Sequence, residues 1–247
     1  MKQGWLRAID VRTSRRKYQE KQIEPMKAQQ IRSLVEKCNA ESGLHIRFVE
    51  DGTELFRSFT GSYGMFRGVQ SYFALTGDES ISHFQEKAGY YGELIVLECT
   101  DLGLGTCWVS GTYDKTECRR QIHLGDGEEL ACVIPVGYVN QEKSIKEKVI
   151  SLTGRKTKKF EEFIAPSTGL PDWAVKGVEA VGKAPSAMNQ QPVRFSYEGG
   201  AVKAFVKDPT SHQGIDLGIA QAHFELGARS AGSQGKWILQ NDAYIFQ

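Results

Sequence analysis

Two segments of this 247-residue chain are apolar on nearly every side of a helix, and they constrain the fold more than any other feature. Residues 88–102 carry apolar side chains all around a helix, and residues 215–228 repeat the pattern. A helix that is apolar all round is buried on all sides. We therefore expect the two helices to pair with each other inside the protein.

The two segments belong to two halves of the chain that share one order of features. Each half has a helix, a loop, a strand with an Arg-Phe pair, a buried helix and a glycine-rich exit into a tryptophan. The Arg-Phe pairs are Arg47-Phe48 and Arg194-Phe195, and the tryptophans are Trp108 and Trp237. This order indicates an internal duplication, with the buried helices paired across a pseudo-twofold axis. The predicted halves are residues 1–160 and 161–247, packed as one unit.

Shorter signals complete an α+β architecture with antiparallel sheets. Glu24-Pro25 predicts a helix start, because proline at the first helical position loses no hydrogen bond. Strands are predicted over residues 45–49, 70–75, 130–139, 193–197 and 202–206. Gly199-Gly200 predicts a tight hairpin between the last two of these strands. Residues 244–246 are predicted to form a final edge strand.

Composition excludes several classes of function. Lys+Arg 31 against Asp+Glu 30 leaves a net charge of +1, so no basic field is available for nucleic acid or an anionic membrane. The five cysteines are an odd number without a C-x-x-C pair, which predicts a reducing, cytoplasmic compartment. The histidines show no metal-ligand spacing, so no metal is expected.

Two short segments have the residue types of a binding site. Arg12, Ser14 and Arg16 form R-x-S-x-R, the arginine arm (residues 12–16), which can grip a phosphate through charged donors and a hydroxyl. A solvated basic helix end is the alternative. The amide loop (residues 184–192) reads APSAMNQQP, and its amides suit the imide edge of a flat heterocycle. A plain turn is the alternative there.

These segments, together with GLGT before Cys107 and IPVGY at 134–138, resemble the FMN-dependent nitroreductase family. The resemblance spans most of the chain and departs from the family in order. In family members the amide-loop motif precedes GLGT, whereas here it follows, and residues 39–43 stand in its usual place. Ordinary members resemble intertwined homodimers that hold each FMN at the interface. This chain therefore resembles the branch with internally duplicated single chains, a pseudo-dimer that keeps one FMN site. A monomer is favoured, with a homodimer as the alternative.

The resemblance also implies roles for individual residues. Arg12, Ser14 and Arg16 resemble the contacts to the FMN phosphate and ribityl chain, and Arg155 or Lys158 a later phosphate contact. Ser110 and Gly111 resemble the backbone that faces flavin N5. The residues that resemble the partner-subunit loop against the flavin ring are Pro185, Ser186, Asn189 and Gln191. The family's mid-chain asparagine has no counterpart, because Tyr63 to Arg67 stands there.

The implied function is an FMN-dependent oxidoreductase that takes electrons from NADH or NADPH. Nitroaromatic, quinone or related small molecules would be reduced by ping-pong hydride transfer through flavin N5. The flavin carries the redox chemistry, so no catalytic side chain is expected. The alternatives are a non-catalytic FMN-binding pseudo-dimer and an enzyme that uses the same flavin for different chemistry.

Overall fold

The computed structural model describes residues 2–56, 65–140, 142, 156–164, 169–206 and 213–247. The chain divides into two compact units, each assembled from separated stretches of sequence. Unit 1 contains Met1–Asp10, Gln85–Leu94 and Gly154–Gln247, and unit 2 contains Val11–Phe84 and Ile95–Thr153. The predicted halves, residues 1–160 and 161–247, were defined by a repeat in the sequence and not by these units. They stay a prediction.

The described residues form seven helices and eight strands, an α+β fold as the sequence predicts. The helices are α1 (Gln3–Val11), α2 (Pro25–Ser42), α3 (Phe84–Asp101), α4 (Lys115–Gln121), α5 (Phe160–Phe163), α6 (Asp172–Val181) and α7 (Gln213–Ser230). The strands are β1 (Arg47–Val49), β2 (Ser71–Asp78), β3 (Gly105–Thr106), β4 (Glu128–Gly137), β5 (Val193–Glu198), β6 (Ala201–Val206), β7 (Trp237–Gln240) and β8 (Ala243–Phe246). Short 3₁₀ turns occupy Thr53–Phe56 and Ala187–Asn189.

Each unit contains one four-stranded antiparallel sheet, and the two sheets have the same topology. Unit 2 has the order β1-β2-β4-β3, and unit 1 has the order β5-β6-β8-β7. Apart from α4, the chain runs helix, strand, strand, helix, strand, strand in both cases. This common order supports the internal duplication, which stays a hypothesis.

Local sequence explains where the first long helix begins and ends. Pro25 is the first residue of α2, as expected from its fixed φ. Gly43 follows in the left-handed conformation with φ 75°, where its N–H donates to the Asn39 carbonyl oxygen. The Asn39 side chain then binds both the N–H and the carbonyl oxygen of Ile46. These bonds close the connection into β1.

The final hairpin corrects one prediction. Residues 244–246 were expected to form an edge strand, but β8 lies between β6 and β7, and β7 is at the edge. Asn241 and Asp242 both have positive φ, 49° and 55°, and make the two-residue turn that returns the chain. The sequence of β7 gives no strand signal, because Ile238 and Leu239 lie next to polar Gln240 without an alternating pattern.

The predicted pairing of the two buried helices is confirmed within unit 1. A Cβ on Gly218 of α7 would lie 2.6 Å from the Tyr90 nitrogen and closer still to the Glu86 carbonyl oxygen of α3. A Cβ on Gly89 would lie 2.9 Å from the Ile215 carbonyl carbon. The two backbones therefore touch directly, and only glycine fits at these positions.

A carboxylate clamp holds one end of the unit 2 sheet. Glu128, the first residue of β4, accepts two hydrogen bonds from Arg47, at 2.9 and 2.8 Å. Its carboxylate also lies 2.7 Å from Nδ1 of His45 and accepts the Gly125 N–H at 2.9 Å. The Gly125 N–H, with His45 and Arg47, lowers the pKa of Glu128 to about 2.

We predict that Glu128→Gln lowers the free energy of unfolding by about 2 kcal/mol at neutral pH, because charge-assisted bonds are lost. The folded-state pKa of Glu128 lies below the unfolded value of 4.5. The stabilisation is therefore fully present above that value and is lost as the pH falls towards 2. Denaturant unfolding over this pH range should show the two curves converging. Glu129→Gln, an exposed neighbour, is the control, and a gap that does not depend on pH would contradict the prediction.

Candidate functional site

The arginine arm lies in unit 2, where backbone hydrogen bonds fix it on two sides. Ser14 pairs in parallel with Thr106 of β3, and the Arg15 N–H donates to the Thr106 carbonyl oxygen at 2.9 Å. On the other side, the Arg67 N–H donates to the Arg16 carbonyl oxygen at 3.0 Å. The arm is thus joined to the GLGT segment, although the two motifs are far apart in sequence.

Arg15, the central residue of the arm, has an anchoring role that the sequence analysis missed. Its side chain is buried, and its guanidinium donates to the carbonyl oxygens of Asn140 at 2.9 Å and Glu142 at 3.3 Å. Gly105 makes room for it, since a Cβ there would lie 3.0 Å from Arg15 Cγ. Successive side chains of an extended segment point to opposite sides, so Ser14 and Arg16 lie away from this anchor.

Arg12, Ser14 and Arg16 are all half-buried in unit 2. Two other predicted site residues, Ser110 and Gly111, belong to the same unit and are exposed. They follow Val109, which exchanges two backbone hydrogen bonds of 3.0 Å with Val133. A Cβ on Gly111 would meet nothing within 4 Å, so its backbone faces open space.

The amide loop lies in unit 1 and contains the densest group of left-handed residues other than glycine. Met188, Asn189 and Gln191 have φ values of 50°, 51° and 46°. Such conformations cost free energy and persist only where surrounding contacts enforce them, often at functional sites. Met188 at the tip is 80% exposed, an unusual position for an apolar side chain.

Hydrogen bonds from three directions enforce this loop conformation. Ser186 Oγ accepts the Gln191 N–H at 2.8 Å. The Gln191 amide is buried; its Nε2 donates to the Gly182 carbonyl oxygen at 3.0 Å, and its Oε1 accepts the Lys158 N–H at 2.8 Å. Lys158 Nζ also donates to the Gln191 carbonyl oxygen at 3.0 Å. Ser186, Gln191 and Lys158 therefore stabilise the loop from within.

Asp216 is a second residue that the sequence analysis missed. It lies in the first turn of α7, is buried, and accepts the Ala187 N–H through Oδ1 at 3.0 Å. A carboxylate in this position is favoured by the helix dipole. Its signal in the sequence is an acidic residue between Ile215 and Leu217, at the start of the apolar segment. Pro185 is half-buried and lines a small apolar cavity with Phe163 and Val181.

Other candidate residues lie either outside the described part of the chain or in its interior. Arg155 and Tyr63 lie outside the described residues. His223 is fully buried, and both of its ring nitrogens are hydrogen-bonded. In the described part of the chain, no cluster of three or more potential ligands could hold a metal ion. Among the described helices, none is long and apolar enough to cross a membrane.

Comparisons with known proteins place the fold. Residues 5–228 match the model of a family described as "Putative TM nitroreductase". A crystal structure described as a putative nitroreductase from Thermotoga maritima has 24% sequence identity and a TM-score of 0.63, covering 98% of this chain and 92% of its own. An FMN-dependent nitroreductase from Clostridium difficile has 21% identity and a TM-score of 0.47, covering 56% of this chain and 88% of its own. A nitroreductase family protein from Clostridium novyi has 17% identity and a TM-score of 0.46, covering 60% and 91%. No curated protein matches this chain.

We predict that Asp216→Asn loosens the amide loop, because a neutral amide binds the Ala187 N–H less strongly than a carboxylate does. Amide hydrogen exchange of residues 187–191 should accelerate by roughly tenfold, because the loss of a hydrogen bond that contributes about 1.4 kcal/mol changes an opening equilibrium by that factor. Asp172→Asn, in the exposed first turn of α6, is the matched control. Unchanged protection of the loop would show that Asp216 does not hold it.

Proposed function

We propose that this chain is an FMN-dependent oxidoreductase, because it belongs to the "Putative TM nitroreductase" family. It would take electrons from NADH or NADPH and reduce nitroaromatic, quinone or related small molecules. The observation that carries the proposal is the parallel pairing of Ser14 with Thr106, which joins the arginine arm to the GLGT segment in one unit.

The residues of the arm fit the phosphate end of FMN. Arg12 and Arg16 supply guanidinium donors, Ser14 supplies a hydroxyl, and these are the groups that bind a phosphate dianion best. The arm is held from both sides by backbone bonds, and Arg15 anchors it from the opposite face. The donors are therefore positioned in advance, which lowers the entropy cost of binding.

Other residues would contact the ring system. The exposed backbone at Ser110 and Gly111 suits the edge of a flat ring. Pro185 and Asn189 stay proposed ring contacts by the resemblance alone. Ser186, Gln191 and Lys158 would act by holding the loop, and Arg155 stays a proposed phosphate contact. When bound, FMN would supply the electron transfer between the nicotinamide and the acceptor.

We further propose one FMN per chain. The distance in sequence from the start of α2 to β1 nearly equals that from the start of α6 to β5. In the first half the helix extends to Ser42, whereas in the second half it stops at Val181 and the amide loop follows. Only one amide loop and one arginine arm are present, which supports a single site in a monomeric chain.

Arg12→Ala should weaken FMN binding by about 1.5–3 kcal/mol, or roughly 10- to 150-fold, because a charged hydrogen bond to the phosphate is lost. Riboflavin lacks the phosphate, so its affinity should not change. Fluorescence titration of each flavin into the purified chain measures both effects and should saturate at one FMN per chain. Arg119→Ala, an exposed arginine of α4, is the control. Equal losses for FMN and riboflavin would contradict the phosphate role.

Steady-state kinetics tests the activity. With FMN bound, NAD(P)H oxidation should depend on a nitroaromatic or quinone acceptor, and double-reciprocal plots should give parallel lines. This pattern follows if donor and acceptor occupy the same face in turn. Intersecting lines would indicate that both are bound together. Tight FMN binding without NAD(P)H oxidation would indicate a flavin-binding protein instead of a reductase.

A further inference from the structure

The crossing of α3 and α7 in unit 1 is reciprocal. Gly89 of α3 lies against the Ile215 carbonyl group, and Gly218 of α7 lies against the Glu86 carbonyl group. Gly89 and Gly218 are separated by 129 residues in the sequence. Glu86 and Ile215 are separated by the same number. Each helix thus offers its partner the same contact, as at a twofold interface. By this geometry alone, each helix could pair equally well with a copy of itself.

A buried polar pair breaks this equivalence. Nε2 of His223 lies 2.9 Å from Oε1 of Glu93, and both side chains are completely buried. Nδ1 of His223 lies 3.1 Å from the Ala180 carbonyl oxygen, so Nδ1 must carry a proton. A hydrogen bond between Nε2 and Oε1 completes the pair, so both ring nitrogens of His223 are bonded.

The residues that lie 129 positions after Glu93 and 129 positions before His223 are apolar. Glu93 corresponds to Ala222, and His223 corresponds to Leu94. A second polar contact, from the Tyr90 hydroxyl to Glu225 Oε2 at 2.9 Å, also has apolar residues at the corresponding positions. Its corresponding positions are Ile219 and Val96. The polar partners of α3 are therefore on α7 and not on α3 itself.

We propose that the Glu93–His223 pair makes α3 select α7 as its partner and reject the α3 of a second copy. If α3 paired with α3 of another chain, each Glu93 carboxyl would face a leucine. If α7 paired with α7, each His223 would face an alanine. A buried polar group without its partner is strongly unfavourable, so only the pairing of α3 with α7 satisfies both. The pair thus acts as the specificity element of the fold, independently of any flavin.

The test uses the full chain, refolded from denaturant over a wide range of protein concentration and measured by size exclusion with light scattering. Glu93→Met with His223→Leu replaces the pair by apolar groups of similar volume, which generally preserves stability. Glu93→Ala with His223→Leu introduces the residue types of the corresponding positions, Ala222 and Leu94. Both double variants should form at least about ten times more dimer than the natural chain, a shift of about 1.4 kcal/mol.

Two controls separate partner selection from simple destabilisation. The exchanged variant, Glu93→His with His223→Glu, restores a polar pair and should remain a monomer. Leu44→Ala removes a buried side chain of unit 2 and should lower stability without adding dimer. Double variants that unfold more easily yet stay monomeric would overturn the proposal, because the pair would then only stabilise. A dimer fraction in Leu44→Ala equal to that of the double variants would also overturn it.

Discussion

The direct backbone contact of α3 and α7 at Gly89 and Gly218 is the interaction on which unit 1 depends. With no side chain between the helices, residues farther along them come within hydrogen-bonding distance, as Glu93 and His223 do. His223 also binds the carbonyl oxygen of Ala180 near the end of α6. The amide loop follows α6 closely, and the Gln191 side chain of the loop donates a hydrogen bond to the Gly182 carbonyl oxygen. The helix crossing and the amide loop are therefore both fixed to the end of α6, the first through His223 and the second through Gln191.

Both candidate binding segments divide their residues between holding the backbone and facing outward. In the arginine arm, Arg15 is the internal anchor, while its neighbours on the opposite side are the candidate phosphate ligands. In the amide loop, Ser186 and Gln191 hold a strained backbone, and Met188 projects from its tip. Each segment is therefore held in place by its own hydrogen bonds, which lowers the entropy cost of binding a ligand there.

The two sheets share one topology, but the segments next to them differ between the two parts of the chain. In the first half, α2 extends over the stretch that corresponds to the amide loop, and Asn39 closes the short connection to β1. In the second half, α6 stops early and leaves the loop free to form. The helix crossing is likewise unequal, with a polar pair at one position and apolar residues at its counterpart. The two parts of the chain thus share a strand order but differ at the amide loop and at the helix crossing.

The sequence alone determined the buried helices, their pairing, the α+β class and most strands, because these features depend on periodicity and on local turn chemistry, such as Pro25 and Gly43 at the ends of α2. The family followed from the resemblance of short motifs, such as GLGT and the amide loop. Tertiary structure alone decided the order of β7 and β8, the anchoring roles of Arg15 and Asp216, and the internal bonding of Gln191. Those features depend on which residues distant in sequence come to lie beside each other. A motif records residue types and spacing, and the direction of each hydrogen bond is settled only when the chain has packed.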